Sequence, residues 1–217
     1  MAKTTAVFFD LDGTLVDTAP DLGFALNTLL QQEGHAPLPH DLIRPQASNG
    51  SAGLLGLGFG ITADDANYRL LQQRFIKLYQ ENITRESDLF PGMAEVLSHL
   101  EEAKLPWGII TNKPAFLTTP LVEQLGLAKR AACVVSGDTT THSKPHPAPM
   151  LYACELTSQI PENCLYIGDA ARDIKAGKNT NMTTLAARYG YITADDNLES
   201  WQADGIIDHP HELLRWL

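Results

Sequence analysis

The sequence predicts an α/β protein, a doubly wound and mostly parallel Rossmann-like sheet carrying an all-helical insert, and three observations support this. Short apolar runs, each too brief to be a helix, recur along the chain and read as buried strands. Segments with helix signals alternate with them, which implies parallel pairing through crossovers. Polar residues, Asp10, Thr111, Ser136 and Asp169, stand at or just after the carboxyl ends of four of these runs, where open parallel sheets bind ligands.

The first strand is the run at 6–9, which leads directly into Asp10-Leu11-Asp12-Gly13-Thr14. The alternation then breaks between Asp17 and about Ser87, where two amphipathic patterns appear and no strand-like run separates them. The first helix takes Thr18 as N-cap and has Pro20 and Asp21 in its first turn. It buries Leu22, Ala25, Leu26, Leu29 and Leu30 and stops at Gly34. The second starts near Thr62, with Asp65 three residues on, and buries Tyr68, Leu71, Phe75 and Leu78. The intervening stretch at 44–60 is Gly-rich. Its Gly-Ser-Ala-Gly suggests a phosphate loop, but neither GxGxxG nor a Walker-type GxxxxGK motif supports that. Further strands are expected at 107–110, 131–135, 164–167, 183–187 and 205–207. Helices are expected at 114–125, closed by Gly126, and at 147–156, opened by two prolines. The expected organisation is a core of 1–16 plus 88–217, interrupted by a helical cap at 17–87, with no internal repeat.

A chain of 217 residues has room for one sizeable core and a small appended domain. Its 16 Lys and Arg against 26 Asp and Glu give a formal charge of −10, which disfavours nucleic acid and anionic lipid as partners, and no basic run offsets it. Cys133, Cys154 and Cys164 form an odd, loosely spaced set without CxxC, which fits a reducing cytoplasm better than a disulfide framework. The apolar run after Met1-Ala-Lys-Thr-Thr is too short for a signal peptide, and glycines break the longest later run, so a soluble, unprocessed protein is expected. His142 and His146 have zinc-like spacing and His209-Pro210-His211 adds two more imidazoles, but prolines interrupt both and no fourth ligand follows in pattern. Cys133 and Cys164 read as small core residues, and Trp201 and Trp216 as packing the C-terminal segment on the core.

Four pieces carry chemistry. Asp10 and Asp12 stand two residues apart at a strand end. A carboxylate there can take a phosphoryl group, and a second can move protons; the plain alternative is an acidic surface turn. Thr111-Asn112 could hold a phosphate oxygen, and Lys144 before Pro145 could neutralise one. Asp169 and Asp173, four residues apart at a strand-to-helix turn, can face one crevice, unless Asp169 merely caps the following helix. Joined in one crevice, Asp10, Asp12, Asp169 and Asp173 would repel by about 1 to 4 kcal/mol per close pair. A divalent cation relieves this, and all-oxygen ligands favour Mg2+.

The order DxDGT, Thr-Asn, Lys-Pro and GDxxxD, with a helical insert after the first motif, resembles the haloacid dehalogenase superfamily, specifically its phosphatases with a helical cap. The resemblance covers nearly the whole chain. It implies that Asp10 is nucleophile and Mg2+ ligand, and that Asp12 is acid/base and offers its backbone carbonyl to the metal. It implies further that Thr111, Asn112 and Lys144 bind the phosphoryl group and that Asp169 and Asp173 complete the metal site. Two positions depart from the usual pattern, His146 after Lys-Pro and Ala170 after Asp169, and neither supplies an essential group. The text at 107–114, 188–191 and 204–208 is similar to the phosphoglycolate phosphatase group and to N-acetylmuramic acid 6-phosphate phosphatases. The implied activity is phosphomonoester hydrolysis of a small phosphorylated metabolite, probed against two rivals, a phosphomutase and a catalytically silent binding relative. Both candidate substrates carry a carboxylate, so Arg44 in the cap is the expected substrate contact. A monomer or homodimer is expected.

Overall fold

The computed structural model describes residues 4–193 and 195–217; residues 1–3, part of the stretch read as too short for a leader, lie outside them. A six-stranded sheet runs in the order β5 (Val134–Val135), β4 (Trp107–Ile110), β1 (Ala6–Phe9), β6 (Cys164–Gly168), β7 (Thr183–Ala187), β8 (Gly205–Ile207), and its neighbouring strands pair in parallel. The strand period of two divides the apolar residues between two layers. Val7 and Phe9 of β1, with Leu165 and Ile167 of β6, pack on one face together with Val96 and Leu97 of α5 (Met93–Glu102) and Leu121 of α6 (Ala115–Gln124). Ala6, Phe8, Cys164 and Tyr166 pack on the other, with Met150 of α7 (Ala148–Thr157) and Ala176 of α8 (Ala171–Lys178). Both faces of β1 are therefore dry, as a central parallel strand requires.

All six expected strands are present, with different limits at two of them. The run at 131–135 forms a regular strand only at its last two residues, although the Ala132 N–H donates to the Trp107 carbonyl and Cys133 accepts from the Ile109 N–H, extending the pairing at this sheet edge. The chain leaves β1, builds β4 and β5 on one side and then crosses to β6 on the other. The sheet thus reverses its winding beside β1, and the carboxyl end of β1 opens into the crevice this creates.

The insert holds more helix than the periodicity predicts. It contains α1 (Ala19–Gln32), α2 (His40–Ile43), a 3-10 segment (Arg44–Asn49), α3 (Gly50–Phe59) and α4 (Tyr68–Glu81). The Gly-rich stretch is thus helical, because Leu54 and Leu55 gain burial and its glycines admit close neighbours: a Cβ on Gly58 would lie 2.9 Å from Leu26 Cδ1. Packing here overrides low helix propensity. Thr62 does not start a helix. Its N–H and hydroxyl both donate to Asp65 Oδ2, at 2.7 and 3.1 Å, forming a local turn that delays the helix to Tyr68. Tyr79 rather than Leu78 is the buried residue at the end of α4. A short antiparallel ribbon, β2 (Val16–Asp17) with β3 (Asp88–Leu89), joins the two ends of the insert. Buried Asp21 ties them further, accepting from the N–H groups of Glu86 and Ser87 and, at 2.6 Å, from the Ser87 hydroxyl.

Candidate active site

The strand ends bring the predicted polar residues together. Asp10 follows β1, Thr111 follows β4, Asp169 follows β6, Asp173 lies in the first turn of α8, and Lys144 arrives from the loop between β5 and α7. Lys144 Nζ sits 2.9 Å from Asp10 Oδ1 and 2.7 Å from Asp173 Oδ1, and its side chain is fully buried. It also donates to the Ile110 carbonyl at 2.8 Å and to the Tyr166 hydroxyl at 2.9 Å, so its ammonium is held by the strands on both sides of β1. Asn112 reaches the same loop, and its side-chain amide exchanges two 2.9 Å bonds with the backbone of Lys144.

Asp169 does not cap α8. Its carboxylate accepts from the hydroxyls of Thr14 (3.1 Å) and Ser48 (2.9 Å) and from the Tyr191 N–H (3.0 Å), whereas Asp173 accepts from the Ala170 N–H at the helix start. Gly13 and Gly190 let the chain close around it. Gly13 has φ +81° and a Cβ there would meet Asp169 Oδ2, while a Cβ on Gly190 would lie 2.4 Å from Asp169 Cβ.

Asp10, Asp169 and Asp173 each offer an oxygen within 4.8 Å of the others. Burial pushes the Asp10 carboxyl up to about 6, with Lys144 opposing and Asp173 adding to the shift. Burial and then the charges of Asp10 and Asp173 push Asp169 up to about 7, against the pull of the Tyr191 N–H and the Ser48 hydroxyl. Burial disfavours a charged Lys144, but Asp10 and Asp173 outweigh it and hold the ammonium above the ordinary lysine range. Three buried carboxylates facing the Lys144 ammonium and the nearby Arg172 guanidinium leave a local surplus of negative charge. An all-oxygen donor set with that surplus fits a hard divalent cation.

Asp12 stands on the other side of the crevice. The Thr18 hydroxyl (2.5 Å) and Lys113 Nζ (2.8 Å) both donate to its Oδ1. A cavity of about 520 Å³ opens from Asp10 and Asp12 toward the insert, with Thr111, Asn112 and Lys113 on the core side and α3 and α4 opposite.

The family model for haloacid dehalogenase-like hydrolases matches residues 7–187. The chain belongs to that family. This haloacid dehalogenase-like hydrolase is 39% identical over 213 residues, 98% of its length and 96% of the relative's, to an N-acetylmuramic acid 6-phosphate phosphatase of Pseudomonas putida. It is 39% identical over 208 residues, 96% of its length and 94% of the relative's, to a phosphoglycolate phosphatase of Xanthomonas campestris pv. campestris. Among solved structures, a predicted phosphoglycolate phosphatase from Haemophilus somnus matches with a TM-score of 0.87 at 26% identity, covering 100% of this chain and 99% of that one.

The hydrolase places Arg44 away from the cavity lining. Its Nη1 pairs with Asp17 Oδ2, and its guanidinium lies 5.0 Å from the Tyr191 ring centre and 5.6 Å from that of Phe90, so it braces the base of the insert. Sequence reasoning missed Lys113, Tyr166, Ser48, Tyr191 and Arg172. Lys113 directly follows the Thr-Asn pair, and Tyr166 is a phenol inside an apolar strand, which signals a hydroxyl needing a buried partner. Arg172, between the two acids of the last motif, donates from Nη2 to the Ser48 carbonyl at 2.7 Å and lines the cavity. Ser48 carried no sequence signal of its own.

Proposed function

We propose that this hydrolase is a Mg2+-dependent phosphomonoesterase that passes the phosphoryl group of a small phosphorylated metabolite to Asp10 and then to water. The observation that carries the reading is the buried contact of Lys144 with both Asp173 and Asp10, the latter lining one cavity together with Asp12. Phosphoryl oxygens are held by the Thr111 hydroxyl and the Asn112 backbone N–H, while the buried Lys144 ammonium, already engaged with Asp10, offsets their charge; the Asn112 side chain is committed to the Lys144 loop. An Asp10 oxygen attacks phosphorus as the ester P–O bond breaks, and Asp12 gives its proton to the leaving oxygen. Asp12 then takes a proton from water, whose oxygen attacks the aspartyl phosphate, releasing inorganic phosphate and restoring Asp10. When bound by the carboxylates of Asp10, Asp169 and Asp173 and the Asp12 carbonyl, Mg2+ supplies the charge neutralisation that lets a phosphate dianion approach a carboxylate.

The helices within residues 17–87 act as a cap over the core of 1–16 and 88–217, keeping water out during transfer and meeting the leaving group. Of the substrates named for the relatives, the cavity favours N-acetylmuramic acid 6-phosphate. The two-carbon leaving group of phosphoglycolate would leave most of about 520 Å³ unfilled. A cytoplasmic location accords with three buried, free cysteines.

Phosphate release is to be measured for both substrates with Mg2+, with chelator and in Asp10→Asn. Chelation or the substitution should lower turnover by on the order of 10³-fold or more. Undiminished release in either case, or isomer formation without free phosphate, would sink the proposal.

A further inference from the structure

The wall that the inserted helices give to the cavity has no Asp, Glu, Lys, Arg or His among its described residues; besides Ser48, held to Asp169, and Asn49, held to Gln46, it carries a hydrogen-bonded polar patch on α3 and α4. Gln72 of α4 donates from Nε2 to Ser51 Oγ of α3 at 2.9 Å and to the Tyr68 hydroxyl, one turn earlier on α4, at 3.3 Å. All three residues line the cavity. Among the described residues Gln72 Oε1 meets no donor, while the two hydroxyls accept from Gln72 and keep their protons for another partner. The patch therefore offers one acceptor and two donors without net charge. Along the same face of α4 lies apolar Phe75, and beyond it Tyr79, whose buried hydroxyl has no partner among the described residues. The Tyr79 ring centre is 4.6 Å from Lys113 Nζ, so the face runs from the Asp12–Lys113 pair to the patch, crossing an apolar middle.

We infer that Gln72, braced by Ser51 and Tyr68, is a specificity-determining residue that pairs with an uncharged donor–acceptor group, an amide or hydroxyl, on a ring-sized leaving group. This rests on the hydrolytic reading above. The physical ground is asymmetry of cost: a site built to hydrogen-bond such a group leaves buried polar atoms unpaired when the group is missing, and so rejects analogues lacking it.

Gln72→Leu keeps the side chain's bulk and removes its polar atoms. With N-acetylglucosamine 6-phosphate and N-acetylmuramic acid 6-phosphate, kcat/KM should fall about 10- to 100-fold. With p-nitrophenyl phosphate, whose ring carries no such group, it should change by less than about twofold, and Ser51→Ala should give a smaller loss of the same selectivity. Binding of N-acetylglucosamine 6-phosphate to Mg2+-loaded Asp10→Asn protein, followed by calorimetry, should weaken in parallel when Gln72→Leu is added. Gln72-dependent binding without any turnover in the parent protein would count against the hydrolytic reading and in favour of the patch. Sugar phosphate hydrolysis indifferent to Gln72→Leu, equal losses on all substrates, or a parent preference for phosphoglycolate over every sugar phosphate would overturn the inference and leave hydrolysis standing.

Discussion

Thr18 and Lys113 both donate to Asp12 Oδ1, at 2.5 and 2.8 Å, which orients the carboxylate and leaves Oδ2 without a donor among the described residues. The Lys113 side chain is largely covered where it lines the cavity; burial opposes its charge, but Asp12 overcomes this and raises its proton affinity. If Asp12 is the proposed acid/base, its loss should separate the two half-reactions. In Asp12→Ala an activated aryl phosphate, which needs no leaving-group protonation, should still give a burst of phenol equal to one site, while steady-state release slows by about 10²- to 10⁴-fold because water attack lacks its base. Burst and steady state slowed equally would contradict the role. The motif acids were legible in the sequence because a charged residue at the end of an apolar run is conspicuous. Lys113 and Tyr166 were not, because what makes them matter is a partner 101 and 22 residues away, Asp12 and Lys144 respectively.

At the scale of elements, the first inserted helix shows how a local signal can be right about place and wrong about cause. Thr18 is the residue before α1, as its N-cap propensity predicts, but its hydroxyl serves Asp12 and makes no capping bond. The Tyr191 hydroxyl takes that role, accepting from the N–H groups of Thr18 (2.6 Å) and Ala19 (2.8 Å) and donating to Asp17 at 2.9 Å. A phenol 173 positions away thereby anchors α1 to the loop after β7 that also binds Asp169. Tyr191→Phe should destabilise the protein by about 1 to 2 kcal/mol, since orphaned helix N–H groups and the Asp17 carboxylate lose their partner. Unchanged unfolding by urea would show that water replaces the hydroxyl without cost. The helicity of α3 was equally illegible, because the close approach of Leu26 to Gly58 that its packing uses exists only in the folded chain.

For the molecule as a whole, the acidic cluster links metal, pH and stability. Folded Asp10 and Asp169 titrate at about 6 and about 7, against an ordinary 3.8, so in metal-free protein the folded state binds more protons than the unfolded chain between about pH 4 and pH 7. Stability from these groups is therefore fully present at the acid end and lost as pH rises through their folded values. A divalent cation competes with those protons. The rise in melting temperature on adding Mg2+ to chelator-treated protein should accordingly be small near pH 5 and grow toward pH 8. A rise that is flat, or larger at pH 5, would show that the carboxylates do not share one site. The sequence by itself determined the parallel sheet and the acids at its strand ends, because strand period and charged residues that close apolar runs are local patterns. Only the tertiary structure decided which groups hold those acids and which side chains of the helices between β1 and α5 line the cavity. Ser48 reaches Asp169, Tyr191 caps α1, Arg44 turns to Asp17 and Gln72 faces the cavity. Each of these outcomes depends on the packing of segments distant in sequence, and the energy of a hydrogen bond or ion pair is set by the partner and the burial that packing creates.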